Sequence, residues 1–499
     1  MDFFSNLSTG FGVALTALNL LYCFIGVLLG TLVGVLPGIG PVTTVAMLLP
    51  FSFTLPPESA LIMLAGIYYG AQYGGSTTAI LVNIPGEASS VVTTIDGHKL
   101  ALQGRAGPAL GIAALGSFFA GCVATVLICL AAPPLAAIAL EFGPAEYFSL
   151  MVCGLVAAIV LARGSVLKAI AMVVLGLLFG LAGTDVNSGI RRFDFGITGL
   201  ADGIEFVALS MALYGLAEIA VNLEKKEESG EVTGKIGRVW PNWSDISYCL
   251  PAILRGTGLG SLLGVLPGGG ALLAAFAAYT LEKKVAKPPR QFGDGDIRGV
   301  AAPESANNAG AQTSFIPMLT LGIPSNPTMA MMIGAMMIHG ISPGPRVMTD
   351  RPALFWGLVA SMWLGNLMLV VLNLPLVGMW VKLLRLPYRF LFPSIVVFCC
   401  IGTYTVNSNV TDLYVMGAFA LFGYLCMKLD CEPAPLILGF VLGPMMEENL
   451  RRTLLISRGD PMVLVQEPIS LAFLLVSAAL LIVVALPAIR EKREEALQE

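Results

Sequence analysis

Two clusters of small hydroxyls and carboxamides flank helix-breaking Ile-Pro steps in otherwise apolar sequence. In the first, Gln72, Ser76, Thr77 and Thr78 precede Asn83, Pro85 and Gly86, and Ser89 follows. In the second, Asn307, Asn308, Gln312, Thr313 and Ser314 precede Pro324, Ser325, Asn326 and Thr328. Neutral donors of this kind can hold a carboxylate without a basic residue, and their oxygens suit a hard cation such as Na⁺. The same residue types also glue membrane helices together. Clustering at a helix break favours the binding reading, whereas the scattered Ser117 and Thr125 read as packing residues.

A second pair of breaks carries no side-chain chemistry at all. The stretch from Leu29 to Gly40 (LGTLVGVLPGIG) returns from Leu259 to Gly270 (LGSLLGVLPGGG) with nine identities at a constant offset of 230. Pro37, Gly38 and Gly40 in one copy, and Pro267, Gly268 and Gly270 in the other, stand where an uninterrupted helix would run. Proline removes a helix hydrogen bond, and glycine permits close approach or positive φ. The N–H groups of the half-helix that follows suit an anion, with Thr43 in its first turn, and freed carbonyls suit a cation. The alternative is a tight turn between packed helices that touches no ligand.

The elements that must position these residues are membrane helices. The chain is 56% apolar and 12% charged, against roughly 25% charged in an ordinary soluble domain. Glu58 is the only charged residue between Phe3 and Gly86, and a span needs about 20 apolar residues. The N-terminus has no basic segment and leads into a span of full length, as a first membrane segment does and a cleaved signal does not. Basic residues are interleaved with acidic ones in the polar segments, which argues against a nucleic-acid surface. None of the nine cysteines has CxxC spacing; small apolar packing residues are the simpler account, with no structural metal site and no cofactor.

We read an all-α polytopic membrane protein with discontinuous helices and re-entrant hairpins, about 11–13 spans in total. Apolar stretches of spanning length include 11–36, 60–82, 200–222 and 432–446, and shorter pieces at 41–55, 269–281, 306–322 and 327–340 read as half-helices. Residues 1–223 form a first membrane repeat, 224–245 a polar linker, 246–489 a second repeat and 490–499 a tail. No Lys or Arg precedes the first span, whereas Lys225, Lys226, Lys235 and Arg238 crowd the linker. Basic loops stay cytoplasmic, so linker and tail are expected inside and the N-terminus outside. The repeats are then of inverted topology. Further echoes follow in order: Gly70-Ala71-Gln72 with Gly310-Ala311-Gln312, Ile84-Pro85 with Ile323-Pro324, and Gly107-Pro108 with Gly344-Pro345. Paired broken segments in two such halves point to a transporter's binding site.

Two kinds of titratable residue remain open. Glu304, at the start of an apolar piece, is either a functional intramembrane carboxylate or an N-terminal residue favoured by the helix dipole. His98 and His339 could shuttle protons, but with no partner evident interfacial hydrogen bonding is the simpler role.

GVLPGIGP (34–41), YYGAQYGGSTTAILVNIPGEASS (68–90), DGHKLALQGRAGPALGIAALGSF (96–118), APESANN (302–308), LGIPSNPTMA (321–330) and HGISPGP (339–345) closely resemble the large membrane subunit of tripartite tricarboxylate transporters, the TctA family. The likeness covers almost the whole chain. His98 stands where the family more often has tyrosine, so its role is not carried over. The resemblance implies a bacterial inner-membrane importer of citrate-like tricarboxylates or other small organic acids, driven by Na⁺ or H⁺. It also implies a small membrane subunit (TctB-like) and a periplasmic substrate-binding protein (TctC-like) as partners, besides membrane lipid.

Charge sets a constraint of its own. Importing a trianion against an inside-negative potential costs roughly 7 kcal/mol per 100 mV, at about 2.3 per charge. No G-x-x-x-x-G-K-[ST] phosphate loop is present to harness ATP, so co-transported cations must supply the drive. The rivals are an intramembrane enzyme and an anion channel. Gly293-Asp294-Gly295-Asp296 superficially suggests an intramembrane aspartyl protease, but no second intramembrane aspartate pairs with it. We therefore expect a carrier and no enzyme.

Overall fold

The computed structural model describes residues 3–36, 40–162, 165–185, 188–224, 237–266, 270–288, 291–383 and 388–485. Pro37, Gly38, Pro267 and Gly268, most of the linker and all of the 490–499 tail lie outside these. The chain is a multi-pass helical membrane protein. Among the described residues, six helices are long and apolar enough to cross a bilayer, with Ala106–Ala139 the longest at 34 residues. Five shorter apolar helices accompany them, including Pro41–Ser52 and Pro327–Ile338.

Two helices sit at the centre. Every residue of Pro57–Val82 from Ser59 onward is buried, as is every residue of Arg298–Thr313. A helix buried on all sides needs no apolar stripe facing a core, which leaves room for the hydroxyls and carboxamides that lower their hydropathy. The periphery is the reverse: Leu18, Leu21 and Phe24 on Ala17–Val35, and Leu254 and Leu262 on Trp243–Gly264, present their side chains outward.

The two motif copies pack alike. On Ala17–Val35, a Cβ added at Gly26, Gly30 or Gly34 would overlap the carbonyl oxygen of Met63, Ile67 or Ala71. On Trp243–Gly264, the same addition at Gly256, Gly260 or Gly264 would overlap that of Ala302, Ala306 or Gly310. The glycines repeat at the motif's offset of 230, while their contacts repeat at 239; the long connection between Val285 and Arg298 absorbs the difference. Small residues let helix backbones approach this closely in a membrane. Left-handed caps then stand at matching positions, Asn83 at φ 58° after Pro57–Val82 and Gly322 at φ 72° after Phe315–Leu321, the short helix that follows Arg298–Thr313, directly before the two Ile-Pro steps.

Four stretches differ from the hydropathy reading. The 11–36 stretch is two helices, Phe3–Ala14 and Ala17–Val35, parted where the Thr16 side chain caps the second by accepting from Asn19 N. The 306–322 piece begins eight residues earlier, at Arg298, because the Arg298–Asp296 ion pair hides a polar start, and it breaks at Ser314 before Phe315–Leu321. The 432–446 stretch continues to Ile456, carried beyond its apolar part by the Glu447–Arg451 and Glu448–Arg452 pairs one turn apart. The 200–222 stretch holds a π-turn at Met211–Leu216. All nine cysteines are unpaired.

The close glycine contacts yield a matched test. Gly260→Ala puts a methyl into the Ala306 carbonyl and should cost about 1–3 kcal/mol as overpacking. Gly258→Ala, two residues away with nothing within 4 Å, should be neutral or slightly stabilising through helix propensity. Thermal unfolding in detergent reads both; equal midpoints would mean that the helices do not touch at Gly260.

Candidate functional site

The Ile84-Pro85-Gly86 step folds back on the helices before it. Gly86 packs against the Gly34 carbonyl and the Gly75 Cα, so a side chain at Gly86 would strike backbone on both sides. This turn delivers Glu87 to the interior, where its Cγ lies over Gly75 and the residue is 8% exposed. Glu87 Oε1 accepts from Asn307 Nδ2 at 3.0 Å and from the Ser89 hydroxyl. Ser89 Oγ also lies 3.1 Å from Gln72 Oε1. A carboxylate following the first break thus meets an amide from the second central helix.

The second carboxylate reciprocates. Glu304, 1% exposed, accepts from Ser76 Oγ at Oε2 and from Thr93 Oγ1 at Oε1, each at 2.5 Å. Asn308 Nδ2 donates to Ser117 Oγ at 2.7 Å and to the Glu304 carbonyl at 3.1 Å. The second Ile-Pro step brings Asn326 back to the first half: its Nδ2 donates to Tyr68 OH at 3.3 Å and to Ser314 Oγ at 3.0 Å, while its Oδ1 caps Pro327–Ile338 through Met329 N. Gly270, at φ 47°, starts Gly270–Val285 beside Asn326. Hydrogen-bonded pairs that join the halves here therefore include Ser76–Glu304, Thr93–Glu304, Asn307–Glu87, Asn308–Ser117 and Asn326–Tyr68.

Other expected residues sit around this network in supporting places. Thr78 Oγ1 donates to the Val35 carbonyl at 2.8 Å, and Ser314 Oγ lies 3.3 Å from the Gly264 carbonyl, so each motif helix has a terminal carbonyl met by a hydroxyl. Ser325 Oγ donates to Ser314 O and Thr313 Oγ1 to Ala309 O. Thr328 is buried at 2%. Gly40 opens Pro41–Ser52. Thr43, one turn on, is placed elsewhere: its hydroxyl lies 2.7 Å from both the Tyr214 carbonyl, inside the π-turn, and Glu218 Oε2. The hydroxyls of Tyr69 and Tyr73, with Asn307 Oδ1 and Gln312 Oε1, are buried without a hydrogen-bond partner among the described residues. Tyr73, Ser76, Thr77, Ser117 and Asn373 line a cavity of ≈ 10 Å³, about the room of one water.

Reading the sequence missed Glu87, Tyr68 and Tyr73. The signal for Glu87 was present, because it ends the long uncharged run directly after the Ile-Pro-Gly break. Ser117, expected as packing, is inside the network, whereas Thr125 bonds only to its own helix at the Gly121 carbonyl. Glu304 is buried within its helix, not at its dipole-favoured end. His98 Nδ1 meets the Ile80 carbonyl at 3.3 Å, away from both carboxylates.

A clamp three residues on from Thr93 holds the helix that presents it to Glu304. The Asp96 carboxylate, on Val91–Leu102, accepts at Oδ1 from the backbone N–H of Gly293, Gly295 and Asp296 at 2.8, 2.9 and 3.0 Å, and at Oδ2 from Tyr279 OH at 2.9 Å. The Gly-Asp-Gly-Asp loop is therefore an internal anion nest. Asp296 in turn pairs with Arg298 at 2.7 Å, with Arg298 stacked on Tyr248 at 4.4 Å. Burial works to raise the Asp296 carboxyl, but the Arg298 side-chain and backbone hydrogen bonds outweigh it and hold it below the ordinary aspartate value.

The profile of the Tripartite tricarboxylate transporter TctA family matches residues 20–438. A protein of Agrobacterium vitis named "Uncharacterized 52.8 kDa protein in TAR-I ttuC' 3'region" is 58% identical over 499 residues, 100% of this chain and 99% of the relative. Another from the same organism, "Uncharacterized protein in TAR-II ttuC' 3'region", is 58% identical over 240 residues, 48% of this chain and 99% of the relative. No solved structure matches the chain.

The clamp is directly testable. Asp96→Ala strands three amide donors, at about 1–3 kcal/mol for a buried unsatisfied group, and should lower the thermal midpoint in detergent. Asp96→Asn keeps one oxygen and should lose less. An Asp96→Ala protein that melts with the wild type would mean that the 291–297 loop is not held by this carboxylate.

Proposed function

Because the chain belongs to the tripartite tricarboxylate transporter TctA family, we propose that it is the permease subunit of a secondary active importer. Its substrates are citrate-like tricarboxylates or related small organic acids, carried across a bacterial inner membrane with Na⁺ or H⁺. A small membrane subunit and a periplasmic binding protein complete the system and deliver the substrate. The observation that carries this reading is the cross-half network, in which amides and hydroxyls from one half meet a carboxylate or tyrosine from the other at the Ile-Pro breaks.

The two halves act as inverted-topology repeats: the matched glycine contacts and matched left-handed caps support the duplication, and the basic linker after an uncharged first span supports the inversion. Non-helical backbone at membrane depth is tolerated only where protein buries it or a wet cavity borders it. The cavity beside Ser76 holds about one water, far less than a citrate needs. Admitting substrate therefore requires the surrounding helices to part, which is the alternation a carrier performs. Neutral donors bind the substrate carboxylates, and the coupling cation offsets their charge.

Proteoliposomes holding the chain with its small subunit and binding protein should accumulate citrate or a dicarboxylate under an inward Na⁺ or H⁺ gradient, with saturation. Asn326→Ala, which cuts the Tyr68 and Ser314 contacts, should slow that uptake by about tenfold, the effect of 1.4 kcal/mol. Uptake without saturation or gradient dependence would indicate a pore.

A further inference from the structure

Glu304 and Glu87 are the carboxylates inside the network, and among the described residues neither has a basic side chain within ion-pair distance. Ser76 Oγ lies 2.5 Å from Glu304 Oε2 and 3.1 Å from the Gln72 carbonyl, which is a helical carbonyl four residues back. With Glu304 ionised, Ser76 and Thr93 donate to its two oxygens, but a full charge is buried with no counter-charge beside it, which is costly. With a proton on Oε2, the carboxyl donates to Ser76, Ser76 donates to Gln72 O and Thr93 donates to Oε1, so the same contacts are kept and no unpaired charge is buried. The pattern recurs at Glu87. Ser89 Oγ contacts Glu87 Oε1 and lies 3.1 Å from Gln72 Oε1. A proton on Glu87 lets the carboxyl donate to Ser89 and Ser89 to Gln72.

An independent feature supplies access. The small cavity lined by Ser76 is also lined by Tyr73 and Asn373, 4% and 6% exposed, whose hydroxyl and Oδ1 have no partner among the described residues. A water seated there reaches Glu304 through Ser76. The titratable groups near the pair are Tyr73, close to Glu304, and Tyr68, close to Glu87, both on Pro57–Val82, and the two carboxylates are near enough to interact electrostatically. Charged groups on the other packed helices are engaged elsewhere: Arg255 with Glu282, Arg105 with Asp245, Arg298 with Asp296, and Asp96 with the Gly293–Asp296 amides and Tyr279. Lys99, Lys283 and Lys284 are exposed.

We propose that Glu304 and Glu87 are proton-binding sites, and that the protons they carry are the coupling ions of transport. The coupling half of this rests on the importer reading above; the protonation half does not. Each cycle forms one O–H bond on each carboxylate with a proton from the outer water and breaks it to water inside. Ionised, the pair repels an incoming organic anion; protonated, it presents only neutral donors and acceptors. Two protons balance a dianion.

Infrared difference spectroscopy of the purified full-length chain in detergent, titrated through neutral pH with and without Na⁺, tests the proposal without a substrate. Protonated-carboxyl bands should be present at neutral pH, one lost in Glu304→Gln and another in Glu87→Gln. Ser76→Ala, which removes the acceptor of the Glu304 proton, should shift the first band. Absence of these bands from wild type at neutral pH overturns the proposal, as does their loss on adding Na⁺ at fixed pH. Should Glu304→Gln not fold, the wild-type titration and the Ser76→Ala shift decide the matter. Bands present with no carboxylate uptake under any gradient leave the proton sites standing and sink the importer reading. Uptake driven by Na⁺ alone, with no bands, does the opposite.

Discussion

The structure depends on one constraint: polar groups enclosed by apolar helices must find their partners inside the protein. An unmade hydrogen bond in such surroundings costs several kcal/mol. The two Ile-Pro steps release backbone and bring carboxylates and carboxamides inward, so each break creates a debt that its own half does not settle. Asn307 reaches Glu87, Ser76 and Thr93 reach Glu304, and Asn326 reaches Tyr68. Each half thus supplies partners to the other, which ties the breaks together more firmly than apolar contact alone would.

Close approach of backbones makes that exchange possible. Short side chains such as serine and threonine cannot bridge helices held at ordinary separation. The glycine rows at 26, 30 and 34 and at 256, 260 and 264 draw each motif helix against a central helix until carbonyl oxygens occupy the space of a side chain. At that distance Thr78 reaches the Val35 carbonyl and Ser314 approaches that of Gly264. Gly75 serves the same end, since its missing side chain is where Glu87 lies. The glycines are thus part of the polar network's geometry, although they make none of its hydrogen bonds.

How much of this could be read from the chain follows from what kind of signal each feature leaves. The helical membrane class was plain from long uncharged runs, and the breaks from Pro and Gly at repeated spacing. The 239-residue recurrence of the left-handed caps was foreshadowed by the Ile-Pro echo, because helix termination is local chemistry. Helix limits at 298 and 456 were hidden, since hydropathy cannot see that Arg298 and Arg451 are neutralised by partners. Pairing across the halves left no periodicity, so Glu304 could be noticed but not partnered. Thr43 went to the π-turn at Tyr214 because the carbonyl it meets comes from a helix 171 residues away, and nothing in its own neighbourhood announces that. The Pro-Gly steps at 37–38 and 267–268 lie outside the described residues.

On the reading proposed above, a site for organic anions holds two carboxylates and, among the described residues, no hydrogen-bonded basic side chain, which looks ill-suited to its cargo. The physics resolves the conflict. A fixed lysine or arginine would bind an anion in every conformation and would resist its release on the far side. Under the proposed coupling, carboxylates make affinity conditional: such a site repels anions while ionised and accepts them once a cation has neutralised it. Binding of substrate and of cation is then linked in both directions, since a species that favours one state of a two-state site raises the affinity of every other species that favours it. Serine and threonine suit that role better than stronger partners would. Their hydroxyls donate to an ionised carboxylate and accept from a protonated one, so the network remains intact in either state while the field it presents to substrate changes.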